Sequence, residues 1–511
     1  MTAEAQHRRG GTAGRRAERA AAPILQRRQI VRKIPLVELL DAEGLELVHR
    51  TSMIILEEIG VEFRDPVAIA AWKRAGADVR GQRVHLPEGL LMELLSTAPA
   101  EYVQHARNPE RNVTIGGRHT VFAPTYGSPF VRDFENRRRY GTLEDLQNFV
   151  KLAYMTPNLH HSGGVICEPV DVPVPKRHLD IVYSHIRYSD KPFMGIVTHE
   201  ERAADCIKLV RLLFGDGFID AGNTVMTSVV NCNSPLVWDQ TMLSAMRVYA
   251  RDNQAVLVTP FIMAGAMAPA ATAGSVAQLN AEVLAGIAYA QLVRPGSPMV
   301  YGNFVTTVSM LSGAPMMGTP EPAMMIYFTA QLARKYKLPL RSGGMLTGSK
   351  IADAQAAYES MQTMLPTLMA GANFVLHSAG WLEAGLAAGY GKFMLDADQI
   401  AMLQIFAEGP DLSEEGIAME AIREVGPGGH YLGCAHTRRN FKTAFYTSTL
   451  ADNNSYEQWE AEGGKDADRR ASERAQQLLR RYEAPPIDAA VNEGLRDFIA
   501  RRKVGLPDGV T

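Results

Sequence analysis

From residue 119 onward, short apolar and β-branched runs alternate with longer stretches of helical periodicity. The runs cover 119–126, 158–166, 191–198, 223–231, 253–262, 298–304, 339–345 and 372–377. Helical patterns follow at 142–155, 176–188, 200–214, 235–251, 275–293, 320–336, 352–369 and 391–407. Eight strand–helix units in succession are what a (β/α)8 barrel requires; a doubly wound open sheet is the runner-up. Helix entries agree. Thr142 and Thr198 precede acidic residues, and Pro235 and Pro320 sit near first helical positions.

The residues before the alternation read as a small α/β cap. Leu45, Leu47, Val48, Ile54, Ile55 and Ile59 recur near helical spacing, with Gly60 as the stop. A strand at 61–63 and helices near 66–75 and 87–97 follow. The expected organisation is a basic, poorly ordered tail at 1–34, a cap at 35–115, the barrel at 116–410 and a helical extension at 411–511 packed on the barrel. The extension includes the charged stretch 455–482.

Length and composition fit that picture. The 511 residues are 46% hydrophobic and 21% charged, enough for a large core without a second catalytic domain. The formal net charge of −2 argues against a dedicated nucleic-acid binder and a disordered acidic chain. That figure combines a tail near +7 over residues 1–33 with a body near −9. No apolar segment follows the tail arginines, so a secretory signal is not expected. The most apolar window, 255–271, is interrupted by Pro260 and Pro269 and falls short of the roughly 20 residues of a membrane span. Cys167, Cys206, Cys232 and Cys434 show no close pairing, as expected of a reducing cytoplasm.

In a barrel the reacting groups come from the C-terminal ends of the strands. The candidates there include Tyr126, Cys167, His199, Glu200, Asn231, Asn233, Phe304, Leu346, His377, Trp381 and Glu383. No HExxH, GxSxG or P-loop occurs. His160 and His161 begin a strand instead of ending one, His199 reads better as a helix cap, and Cys167 and Cys232 read as buried thiols; no metal site is expected. Tyr126, Phe130, Phe304, Trp381 and Tyr390 all fall in loop territory at the mouth. Aromatic faces there could cage a quaternary ammonium at about 0.5–2 kcal/mol per ring, although loop packing is the ordinary use of any one ring. Gly-rich segments, including 426–433, allow close approach of a partner.

Several stretches carry a family resemblance: LDAEGL at 40–45, ILEEIGVEF at 55–63, NAEVLAGI at 280–287, YG at 301–302, GTPE at 318–321, SK at 349–350, DAQ at 353–355, GAN at 371–373 and WLE at 381–383. In these the chain resembles the trimethylamine methyltransferase family of corrinoid-dependent methyltransferases. The resemblance implies a TIM barrel that moves a methyl group from a methylated amine to the cobalt of a corrinoid (cobalamin) carried by a separate protein. The archaeal branch carries pyrrolysine after its seventh strand. Counting back from Ser349 and Lys350, that place falls near Leu346. An ordinary apolar residue implies the branch resembling glycine betaine methyltransferases. Trimethylamine methyl transfer and a non-catalytic betaine-binding barrel are the alternatives.

On that reading Tyr126, Phe304 and Trp381 face the trimethylammonium, with Leu346 beside them. His377 and Glu383 serve orientation or charge balance, with a core role the simpler reading of His377. Asn231 or Asn233 meets a carboxylate, and residues 426–433 meet the corrinoid protein. Homo-oligomerisation is left open.

Overall fold

The computed structural model describes residues 29–509. The expected basic tail lies outside the described residues except for its last positions. Eight strands form the main sheet: β1 (Ile30–Val31), β2 (His119–Phe122), β3 (Phe193–Met194), β4 (Met226–Val230), β5 (Ala255–Val258), β6 (Met299–Gly302), β7 (Leu340–Gly343) and β8 (Phe374–Leu376). Their order is β1-β2-β8-β7-β6-β5-β4-β3. Every pairing is parallel except that of β1 with β2. Helices cross between the parallel strands, as the alternation predicts.

The sheet curls around an apolar interior. Val121, Ala123, Met194, Val229, Ala255, Leu257, Val300, Phe374 and Leu376 come from six strands and share one buried cluster. Tyr102, Val113 and Ile115, from the hairpin of Glu101–Gln104 with Val113–Gly116, join the same cluster. A second, larger cluster lies between the strands and the surrounding helices. Both sheet faces are therefore buried, which is why the strands read as continuous apolar runs rather than as alternating ones.

The ladder does not close into the expected barrel. The run at 158–166 forms no strand, so the sheet is an open half-barrel with β3 at one edge. The physical reason lies in its sequence, Asn158-Leu-His-His-Ser-Gly-Gly164. Gly163 takes φ +91°, and the ring nitrogens of the buried His160 and His161 accept backbone N–H groups where a strand's carbonyls would. The segment still spans the gap. His160 N and His161 N donate to Phe122 O on β2, Ser162 N donates to Pro192 O, and Met194 N on β3 donates to Gly163 O.

Neutral imidazoles pin this segment. Phe122 N donates to His160 Nδ1 at 3.3 Å, and Gly163 N donates to His161 Nδ1 at 3.0 Å. His185 Nε2 donates to Gly164 O at 2.7 Å, so its Nδ1 accepts from Ser162 Oγ at 2.7 Å. Burial pushes His160 down to about 3 and His185 to about 4, and holds His161 well below the ordinary range. The Lys191 ammonium closes the corner by donating to Ala153 O, Thr156 O and Leu159 O at 2.8, 2.9 and 2.6 Å.

The N-terminal elements do not stand apart from the main sheet. The helix Ala42–Ile54, capped by Asp41, packs on Thr272–Val293. Val61–Phe63 pairs in parallel with Val237–Trp238, beyond β4, and antiparallel with Arg83–His85, a strand without a clear sequence signal. Thr272–Val293 is long and apolar enough to cross a membrane, but 89% of its apolar window is buried within this structure. C-terminal helices cover the outside: Ala467–Arg480 lies against Tyr390–Glu408, and Ala489–Val504 against Glu200–Phe214.

The histidine pins predict acid lability. Their folded pKa values lie below an unfolded value of about 6.5, so the unfolded chain takes up protons first as pH falls. Stability is full above about pH 6.5 and declines from there toward pH 4, by up to about 1.4 kcal/mol per pH unit for each histidine. Urea unfolding across that window should show the decline, and His185→Gln should reduce its slope by one histidine's share.

Candidate functional site

The upper interior is built by residues just past the parallel strands. Phe304 follows β6, Leu346 follows β7, and His377 and Trp381 follow β8. The rings of Phe304, His377 and Trp381 meet one another, with centroids 5.2 Å apart for Phe304–His377, 5.8 Å for Phe304–Trp381 and 4.4 Å for His377–Trp381. Trp381, Leu346 and Met317 form a buried apolar cluster on which Phe304 packs.

Backbone geometry fixes this arrangement. His377 adopts φ +62°, a left-handed conformation costly for a residue with a side chain. It is held there because His377 N donates to Pro124 O, Ser378 N donates to Ala123 O, and Met345 N donates to His377 O. Gly344 is required at this crossing: a Cβ would lie 2.7 Å from Ser378 Cα. The loop after β7 is tied to the loop after β8, with Glu383 N donating to Ser349 O and Ala384 N to Thr347 O. Ser349 Oγ bonds the Asp353 carboxylate, which caps the next helix. The SK and DAQ motifs thus build the wall that carries Leu346.

His377 is buried, and its Nδ1 has no hydrogen-bond partner among the described residues. Desolvation, then the Arg341 charge, holds its pKa well below the usual imidazole range. The cluster therefore presents three neutral rings. Trp381 Nε1 is likewise buried without a partner.

Arg341 was not singled out in the sequence. It sits inside β7, is 1% exposed, and places its guanidinium carbon 5.0 Å from the Phe304 ring centre. Its Nη1 donates to Asn303 O at 2.7 Å, Nε has no partner, and no carboxylate pairs with it among the described residues. Burial pushes its pKa down to about 9. The available signal was a cation inside an otherwise apolar strand run.

The other expected site residues go elsewhere. Tyr126 is half-buried beside Gly164 and Met194 and makes no ring contact with the cluster. Phe130 stacks on Tyr140 beneath Arg138, and Tyr390 stacks between Phe134 and Phe149 with its hydroxyl on Asp145. Of the five rings expected at the mouth, Phe304 and Trp381 meet, joined by His377; Phe130 and Tyr390 are committed to packing, and Tyr126 stands apart from the cluster. Glu383 pairs with two arginines: Arg138 Nε donates to it at 2.9 Å and Arg132 lies 3.8 Å away, so its charge is already balanced. Asn231 is half-buried beyond the end of β4, with no side-chain hydrogen bond among the described residues. Asn233 is exposed and bonds Asp239 within its own turn. His199 caps the helix Glu200–Phe214. Cys167 and Cys232 are buried thiols with raised pKa values.

A model of the trimethylamine methyltransferase family matches residues 8–507. The chain belongs to this family. It is 44% identical over 469 residues to a glycine betaine methyltransferase of Desulfitobacterium hafniense, covering 92% of this chain and 98% of the relative. It is 30% identical to a proline betaine:corrinoid methyltransferase of Eubacterium limosum, over 80% of this chain and 86% of the relative. Trimethylamine methyltransferase MttB2 of Methanosarcina mazei is 27% identical, over 93% and 97%. The crystal structure of the monomethylamine methyltransferase of Methanosarcina barkeri aligns with 91% of this chain and 96% of that one, at 12% identity and a TM-score of 0.45. That likeness is too distant to add to the topology described above. The family motif residues Asn280 and Tyr301 turn away from the interior, where Tyr301 Oη donates to Asn280 Oδ1 and Asn280 Nδ2 to Tyr336 Oη.

The neutral state of His377 yields a direct check. Its imidazole NMR signals should not titrate between pH 8 and pH 5, because its pKa lies well below 6.5. A midpoint near 6.5 would mean that the ring is solvated.

Proposed function

We propose that this chain transfers a methyl group from a quaternary amine of the glycine betaine type to Co(I) of a corrinoid carried by a separate protein. The observation that carries the reading is the neutral cluster of Phe304, His377 and Trp381 beside Leu346, in a chain 44% identical to a glycine betaine methyltransferase. Aromatic faces attract a trimethylammonium by cation–π interaction, and a neutral imidazole adds no repulsion. Leu346 stands where the archaeal branch is expected to carry its special electrophile, and a quaternary amine needs none.

The chemistry is economical in protein groups. The corrinoid partner supplies a Co(I) nucleophile. As the methyl carbon passes to cobalt, the C–N bond breaks and its electron pair stays on nitrogen. The leaving group is a neutral tertiary amine, dimethylglycine in the case of glycine betaine, so no proton moves. This chain's residues then have three tasks: hold the ammonium on the rings of Phe304 and Trp381, keep water out with Leu346 and Met317, and fix the direction of one methyl group. Glu383 acts through the loop that carries Trp381. Tyr126 lines the entrance from the β2 side, and residues 426–433 meet the corrinoid protein. The reading places the reaction in a soluble, cytoplasmic enzyme. Trimethylamine is the less favoured substrate, because Leu346 offers it no covalent handle.

A substrate screen with free cob(I)alamin tests the reading. Glycine betaine should convert the Co(I) absorbance to that of methylcobalamin, whereas trimethylamine should not. Trp381→Ala should weaken substrate binding about 2- to 30-fold, the worth of one ring. Binding without methyl transfer to either free cobalamin or a cognate corrinoid protein would favour a non-catalytic betaine-binding role.

A further inference from the structure

The inward-facing positions of four neighbouring strands form one row at the top of the apolar interior. Val229, Leu257 and Val300 face inward from β4, β5 and β6. Two residues further on, the same face carries Asn231, Thr259 and Gly302, because side chains in a strand alternate. The ladder pairs Gly302 with Arg341, and Arg341 with the inward-facing Phe374. Thr259 N donates to Val230 O, continuing the β4–β5 pairing by one residue. Asn231, Thr259, Gly302 and Arg341 thus stand side by side.

Three features of this row point to an anion. Arg341 is sealed from solvent and, among the described residues, has no carboxylate partner and leaves Nε without a hydrogen bond. Thr259, also 1% exposed, has its Oγ1 buried without a partner among the described residues, and the half-buried Asn231 stands beside it in the row. Between Thr259 and Arg341 stands a glycine, and a Cβ there would lie 2.0 Å from Thr259 Oγ1. Buried donors are ordinarily satisfied, so a cluster of unused ones calls for an explanation. A carboxylate supplies acceptor lone pairs to all of them, and a guanidinium matches its planar geometry.

We propose that Arg341, Thr259 and Asn231 seat the carboxylate of a zwitterionic substrate, with Gly302 letting the Thr259 hydroxyl lie close against the neighbouring strand. The proposal rests on the quaternary-amine reading above and narrows its substrate class to ammonium carboxylates. Arg341 already lies against Phe304, so an anion on its guanidinium comes close to the rings that would hold the ammonium. The ends of a compact betaine match that short separation. Choline and tetramethylammonium would leave the seat unfilled, and a site built to bond a polar group discriminates strongly against ligands that lack it.

Calorimetric binding to the full chain, without corrinoid, tests this with two probes. Glycine betaine has both charges, and tetramethylammonium has only the cation. Arg341→Gln keeps a donor for Asn303 O but removes the charge. Thr259→Val removes only a hydroxyl, and it decides the matter alone if the arginine variant fails to fold. Arg341→Gln should weaken glycine betaine binding by about 100-fold and Thr259→Val by about tenfold, while tetramethylammonium binding stays within about threefold. Folded variants that bind glycine betaine as the unaltered protein does, or that lose both probes equally, would overturn the proposal. If the unaltered protein transfers methyl groups from no quaternary amine, the earlier reading fails instead. If it uses glycine betaine and both variants bind it normally, only this proposal fails.

Discussion

Burial of the Arg341 charge at the top of a dry, curled sheet is the constraint on which the site depends. Moving a cation out of water is costly unless it is hydrogen-bonded or paired. The protein offsets part of that cost with the Asn303 carbonyl and the face of Phe304. No carboxylate pairs with Arg341 among the described residues, and the neighbouring imidazole of His377 stays uncharged. Arg341 is thus a cation with unspent capacity, next to rings suited to the opposite end of a zwitterion.

The reacting region needs little more than this. Breaking a bond from carbon to a quaternary nitrogen releases a neutral amine, so the site has no use for a general acid. It needs a fixed direction, exclusion of water and charge complementarity. The strained backbone at His377 and the crossing of the β7 and β8 loops supply rigidity. Leu346 and Met317 supply the apolar wall.

Much of the architecture was legible because both faces of a parallel sheet are buried, which gives compact apolar runs between helical stretches. The run at 158–166 misled for a physical reason: His160, His161 and Ser162 are buried and polar, and their pairing uses ring nitrogens and a backward-turning glycine. The two-residue strand Val237–Trp238 was hidden inside a helix prediction that began at Pro235, where the helix in fact begins at Gln240.

Within the candidate site, the rule that function gathers past strand ends named Phe304, Leu346, His377 and Trp381, and the structure brings these four together. The same rule named Phe130 and Tyr390, whose rings pack against others, and Glu383, whose carboxylate pairs with Arg138 and Arg132. It passed over Arg341 and Thr259, since those lie in or just beyond the strands, and only the register reveals that they share a row with Asn231. The most direct test of the account is a crystal structure of the chain with glycine betaine bound. The account predicts a carboxylate on Arg341 and Thr259 and a trimethylammonium against Phe304 and Trp381. A betaine bound in the reverse orientation, or bound away from Arg341, would contradict it.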